Sequence, residues 1–138
     1  MSGDGVDVDV EITAPVRPTE VTERVVAAIE SIFPDADPAE RHGEVTATVD
    51  HLAHVSELLH HQEILDTARG QFFENRRGDS FGFRLRKGPA MQGVVNFPAD
   101  ADSEPGAISV SVRVHEPDVE TYIDRIAPPT EAGEPLDV

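Results

Sequence analysis

Val6, Val8, Val10, Ile12 and Ala14 alternate with Asp7, Asp9, Glu11 and Thr13. Successive side chains of a strand point to opposite sides, so this stretch has one apolar side and one side suited to water or a partner. The alternation returns twice. Phe81, Phe83 and Leu85 interleave with Gly82, Arg84 and Arg86, and Ile108, Val110, Val112 and Val114 interleave with Ser109, Ser111 and Arg113. Strands with one apolar side belong to a sheet that helices cover on one face only. Shorter strands are expected over Glu44–Thr48 and Val94–Phe97.

The segments between these strands are helical in period. Pro15 and Pro18 end the first strand, and Thr19 is expected to cap a helix with Glu20 and Glu23 in its first turn. Val21, Val25, Ile29 and Ile32 form its apolar stripe, and Pro34 stops it. A polar loop is expected over Asp35–Glu40. From Asp50 two stripes follow: Leu52, Val55, Leu58 and Leu59, then Ile64, Leu65, Ala68 and Phe72. At about 100° per residue they lie roughly 135° apart, so one straight helix cannot bury both. Two helices with a break near His60–His61 are expected. Asn75–Asp79 carries Arg76 and Arg77 into a turn before the Phe-rich strand, Gly88-Pro89 forms a turn after it, and residues 98–106 form a polar loop. Pro117 suits the first turn of a last helix whose stripe is Val119, Tyr122, Ile123 and Ile126. The expected fold is a two-layer α+β domain over residues 1–138, with a largely antiparallel sheet and helices on one face. The ordered core is expected over residues 5–128, with an extended tail from 129.

Charge is distributed unevenly. The chain carries 27 carboxylates against ten Arg and one Lys, for a formal net charge of −16. Six of the eleven basic residues, Arg69, Arg76, Arg77, Arg84, Arg86 and Lys87, fall in segment 69–99, where only Glu74 and Asp79 oppose them. That segment is therefore +4 and the remainder −20. Arg84 and Arg86 project from the side of their strand opposite the Phe residues. Arg76, Arg77 and Lys87 lie at its ends, and Arg69 on the preceding helix. Guanidinium forks suit phosphate oxygens, and an open sheet face is a common platform for RNA. The competing reading is a solvated lattice of ion pairs with local carboxylates.

Other chemistry finds little support. Phe81-Gly82-Phe83 echoes an RNA-recognition-motif strand, but Arg77-Gly78 lies two residues too early and core burial accounts for both rings. His51, His54, His60 and His61 would need one continuous helix to share a metal, and the phase break removes it. Asp50 and His54 are spaced as a helix-supporting pair. The sequence holds no Gly-x-Ser-x-Gly elbow, Walker loop or dinucleotide fingerprint, so neither an enzyme nor a cofactor is expected. With no cysteine, disulfides and thiolate sites are excluded. The opening residues lack the charged and apolar regions of a secretory signal, and no run of apolar residues is long enough for a membrane span, so a cytoplasmic location is expected.

Several segments together carry a resemblance: Pro18-Thr-Glu20, Ile32-Phe-Pro34, Gln62-Glu-Ile-Leu-Asp-Thr-Ala-Arg69, the strand ending at Lys87, and Ala127-Pro-Pro-Thr130 with Gly133. In this order, over nearly the whole chain, they resemble the archaeal uncharacterised protein family 0201, described as exosome-associated and RNA-binding. The resemblance implies an archaeal protein with the fold of the large-subunit ribosomal protein that contacts five-S RNA. It also implies binding of RNA or a ribonucleoprotein, with Arg69 and Lys87 carried over. In that family the turn after the Phe-rich strand reads Asn-Lys-Gln-Ala-Ala, whereas here it reads Arg86-Lys-Gly-Pro-Ala90. The alternative is a protein-interaction module with no nucleic-acid role.

The acidity and the near absence of Lys are those of a haloarchaeal protein working in molar salt. At about 1 M salt the Debye length is about 3 Å, so self-repulsion is strongly damped. Helical circular dichroism is expected to fall as salt is dialysed away and to return when it is restored. A full signal in dilute buffer would rule this out.

Overall fold

The computed structural model describes residues 6–98, 106–131 and 134–135. β1 (Asp7–Pro15) leads through a turn to α1 (Thr22–Ile32), and β2 (Ala39–Arg41) and β3 (Glu44–Val49) form a hairpin. Then come α2 (Ala53–His61), α3 (Leu65–Glu74), β4 (Ser80–Leu85), the short α4 (Lys87–Met91), β5 (Ile108–Glu116) and α5 (Val119–Ile126). β1–β5 make one antiparallel sheet in the order β2-β3-β1-β5-β4.

Strand parity does what the alternation requires. Val8, Val10, Ile12 and Ala14 of β1, Phe81, Phe83 and Leu85 of β4, and Ile108, Val110, Val112 and Val114 of β5 are buried with the helix stripes. Val25, Ile29 and Ile32 of α1, Val55 and Leu59 of α2, Leu65, Ala68 and Phe72 of α3, and Tyr122 and Ile123 of α5 complete this core. The Phe72 ring sits 5.1 and 5.0 Å from those of Phe81 and Phe83, so both strand aromatics belong to the core. The opposite face carries Asp9, Glu11, Thr13, Thr46, Thr48, Ser109, Ser111 and Arg113, and among the described residues no helix covers it.

The two-stripe reading of residues 50–74 is met by a break between α2 and α3. Glu63 takes a left-handed conformation (φ 59°), and the Ile64 amide bonds back to the Leu59 carbonyl at 3.1 Å. Other expectations are corrected. Residues 17–20 form a turn and α1 starts at Thr22, because the Glu20 carboxylate is taken up by the Arg17 amide and Lys87. Val21, expected on the core stripe, is exposed. The polar stretch ending at Glu40 contributes to β2, closed by His42 and Gly43, both at positive φ (55° and 80°). Such a two-residue turn matches the natural twist of a hairpin. Gly88-Pro89 lies in α4, where a first-turn proline sacrifices no hydrogen bond. α5 begins after Pro117, at Val119, because the Asp118 carboxylate caps it through the Thr121 amide at 2.9 Å.

Residues 94–97 are not a strand. The Gln62 side chain substitutes for a neighbouring strand, donating to the Val95 carbonyl at 2.9 Å and accepting from its amide at 2.8 Å. The loop expected over 98–106 lies mostly outside the described residues. In the segment expected as an extended tail, β6 (Thr130–Glu131) pairs antiparallel with β7 (Glu134–Pro135).

Gln62→Ala would leave both partly buried Val95 groups unsatisfied, at a cost of about 1–3 kcal/mol. Hydrogen exchange of the Val95 amide is expected to accelerate while β1 amides keep their protection. Unchanged exchange at Val95 would refute the tether.

Candidate nucleic-acid interface

The structure divides the six basic residues between two sides of the molecule. β4 ends at Leu85, and Lys87, two residues further on, continues its inward parity. The Lys87 side chain is buried, donating to the Pro15 carbonyl and to Glu20 at 2.8 Å. Burial works against the Glu20 charge. The Lys87 hydrogen bond, the Arg17 amide and the nearby charges of Lys87 and Arg17 together outweigh it and hold the carboxyl below its usual range. Arg69 lies between α3 and α5. It donates to Asp124 at 2.6 Å and to the Ala127 carbonyl at 3.1 Å, with its guanidinium 4.9 Å from the Phe73 ring centre. Arg76 donates to Glu120 at 2.6 Å. These three cations join elements on the helical side or at its border, so the six basic residues do not share one face.

Arg77 and Arg84 are differently placed. Arg84 shares the open face with Ser109, its partner across β5. Arg86 lies just past the strand, and both Arg84 and Arg86 are engaged within the chain. The exposed Arg77 bridges to Ser80 through its backbone, and its guanidinium makes no ion pair among the described residues. Arg77 and Arg84 flank a groove of about 520 Å³ along the β4 edge. Gln71, Glu74 and Asn75 of α3 form one wall; Ser80, Gly82, Ser109 and Ser111 form the floor.

Toward β1 and β3 the same face turns acidic, with Asp9, Glu11, Asp35 and Asp50 around a shallow groove that also meets Arg113. Arg113 lies 3.6 Å from Asp79, both well exposed. Asp9 pairs with His115 at 2.7 Å, which raises the imidazole's affinity for a proton. Three of the four histidines in 51–61 face separate partners: His51 meets Asp35 at 2.7 Å, His54 meets Glu57 rather than Asp50, and His60 meets the Ser56 carbonyl. Among the described residues no group of His or carboxylate side chains is placed to hold a metal.

No family model matches the sequence. It is 32% identical over 145 residues to the UPF0201 protein of Aeropyrum pernix, covering 99% of this chain and 95% of that protein. The chain belongs to the UPF0201 family of archaeal proteins. It is also 35% identical over 131 residues to the UPF0200/UPF0201 protein of Archaeoglobus fulgidus, spanning 94% of this chain but only 40% of that longer protein. The crystal structure of the UPF0201 protein from Methanococcus jannaschii superposes with a TM-score of 0.85 at 34% identity, covering 94% of this chain and 99% of that one.

The segments that carried the resemblance act within the UPF0201 fold as ties. Glu20 meets Lys87, Gln62 meets Val95, Asp66 accepts from Thr130, and Arg69 meets the Ala127 carbonyl. Sequence reasoning placed Arg69 and Lys87 in the interface, and the structure gives them cohesive contacts. What the sequence did not disclose is the amide wall of Gln71 and Asn75. Its only trace was their spacing of four residues on α3.

Because the Glu20 carboxyl titrates lower in the folded protein, its stabilisation is complete above the unfolded pKa of a glutamate. It fades as pH falls through the lower, folded value. Lys87→Met should lower stability by about 1.5–3 kcal/mol near neutral pH. It should also flatten the stability loss between about pH 6 and about pH 3. Denaturant midpoints with the same acid slope in both proteins would contradict this.

Proposed function

We propose that this UPF0201 chain is a non-enzymatic cytoplasmic domain that binds RNA or a ribonucleoprotein through the β4-edge groove. The observation that carries the proposal is the placing of Arg77 and Arg84 along one groove, whose polar lining is amides, hydroxyls and one carboxylate beside Phe81, Phe83, Pro98 and Val110, on a chain of net charge −16. Phosphates would meet guanidinium forks there, and much of the remaining surface would repel them. The proposed function is narrower than the six-residue patch the sequence suggested, since Arg69, Arg76 and Lys87 serve the fold. The proposal includes a haloarchaeal source, where fitted hydrogen bonds would have to outlast weakened phosphate attraction.

The double name of the Archaeoglobus fulgidus relative, of which this chain spans 40%, favours a second reading. In it the same face docks a protein, and a UPF0200 protein is the first partner to test. Light scattering on native high-salt complexes after nuclease treatment separates the two. A complex that survives loss of RNA supports the protein partner.

Arg77→Glu combined with Arg84→Glu is expected to abolish RNA retention in high-salt pull-downs, whereas Arg76→Glu should cost stability more than binding. Retention unchanged by the double reversal would reject the groove as the contact surface.

A further inference from the structure

The groove's lining specifies the form of nucleic acid more closely than its charge does. Phe81 and Phe83 border it, yet both rings are buried against Phe72. Neither of these lining rings presents a face for a base to stack on. Recognition must therefore come from hydrogen bonds. Gln71 and Asn75 supply amides from α3; Asn75 spends one N–H on the Gln71 carbonyl at 2.9 Å, so its side-chain oxygen remains an acceptor. Ser109 and Ser111 supply hydroxyls from β5, and Glu74 can accept from base amino groups.

Backbone groups extend this set. The Val114 amide donates to the Asp79 carbonyl at 2.8 Å, and hydrogen-bonded pairs alternate along an antiparallel ladder. Phe81 and Phe83 therefore bond to β5, while the N–H and C=O of Gly82 point away from it into the groove. Without a side chain at Gly82 the floor stays open to a ligand's close approach. Such donors and acceptors match unpaired base edges and ribose hydroxyls. A duplex hides its base edges and would meet the groove only with its backbone.

We infer that the groove takes a single, unpaired RNA strand of one or two nucleotides at a time, held mainly by neutral hydrogen bonds and therefore weakly dependent on salt. This inference rests on the RNA-binding function proposed above. For a single strand, log K falls with log salt at a slope of about −0.7 per phosphate neutralised. Arg77 and Arg84 are the cations that line the groove, and Arg84 is already engaged within the chain, so the slope should be no steeper than about −1.4. Engagement of all six basic residues would instead give about −4.

The test is fluorescence anisotropy of the full chain with a labelled single-stranded RNA of mixed sequence and with its duplex, across a series of high-salt buffers. Single-strand binding with a slope shallower than about −2 and at least tenfold weaker duplex binding is the expected result. Gln71→Ala with Asn75→Ala should weaken binding about tenfold at every salt concentration and leave the slope unchanged, whereas Arg77→Gln should reduce the slope by about 0.7. Circular dichroism checks that both variants fold. A slope near −4, equal affinity for the duplex, or folded variants that bind like the unmodified chain would overturn the inference while leaving RNA binding in place. No binding of either RNA at any salt would overturn both.

Discussion

β1 lies at the centre of the sheet, paired on one side with β3 and on the other with β5, and its side-chain parity constrains everything beside it. A shift of one residue would turn Val8, Val10, Ile12 and Ala14 to water and place Asp7, Asp9, Glu11 and Thr13 against the helices, where burying their charges is costly. Because β1 is held this way, the faces of β3 and β5 follow from antiparallel pairing, and that of β4 from β5. The uncovered face is thus a consequence of the core, whatever binds to it.

Around that sheet, polar ties fix the segments that apolar periodicity leaves loose. Tyr122 accepts from the Leu52 amide at 3.1 Å across 70 positions, with burial pushing its hydroxyl pKa up to about 12. Ser56 donates to the Ile126 carbonyl at 2.8 Å, joining α2 to the end of α5. Lys87, Gln62, Asp66 and Arg69 extend the same pattern. Each such bond contributes only about 0.5–1.5 kcal/mol net, somewhat more where one partner is charged. Their larger effect is to make misplacement costly, since a buried polar group without its partner loses water and gains nothing. Residues that look available for a ligand in the sequence can therefore be committed to cohesion.

Charge illustrates the difference between a run along the chain and a patch in space. Arg69 and Arg76 face α5 carboxylates more than 40 positions away, and Lys87 meets Glu20 from the first loop. What remains near the open face is a short stretch around Arg77 and Arg84, next to a larger acidic area centred on Asp9 and Glu11. A face with opposite charges on its two halves orients a ligand better than it attracts one.

By itself the sequence determined which side of β1, β4 and β5 would be apolar, that α2 and α3 would be separate helices, and that Phe81 and Phe83 would be core. Those features follow from periodicity, which is local and repeats along the chain. The exit of residues 94–97 from the sheet, the capture of Arg69, Arg76 and Lys87, and the meeting of Gln71 and Asn75 with the β4 edge were decided only by the tertiary structure. Each depends on a partner far away along the chain, and side-chain patterning within one segment carries no information about which distant carbonyl or carboxylate will stand opposite it.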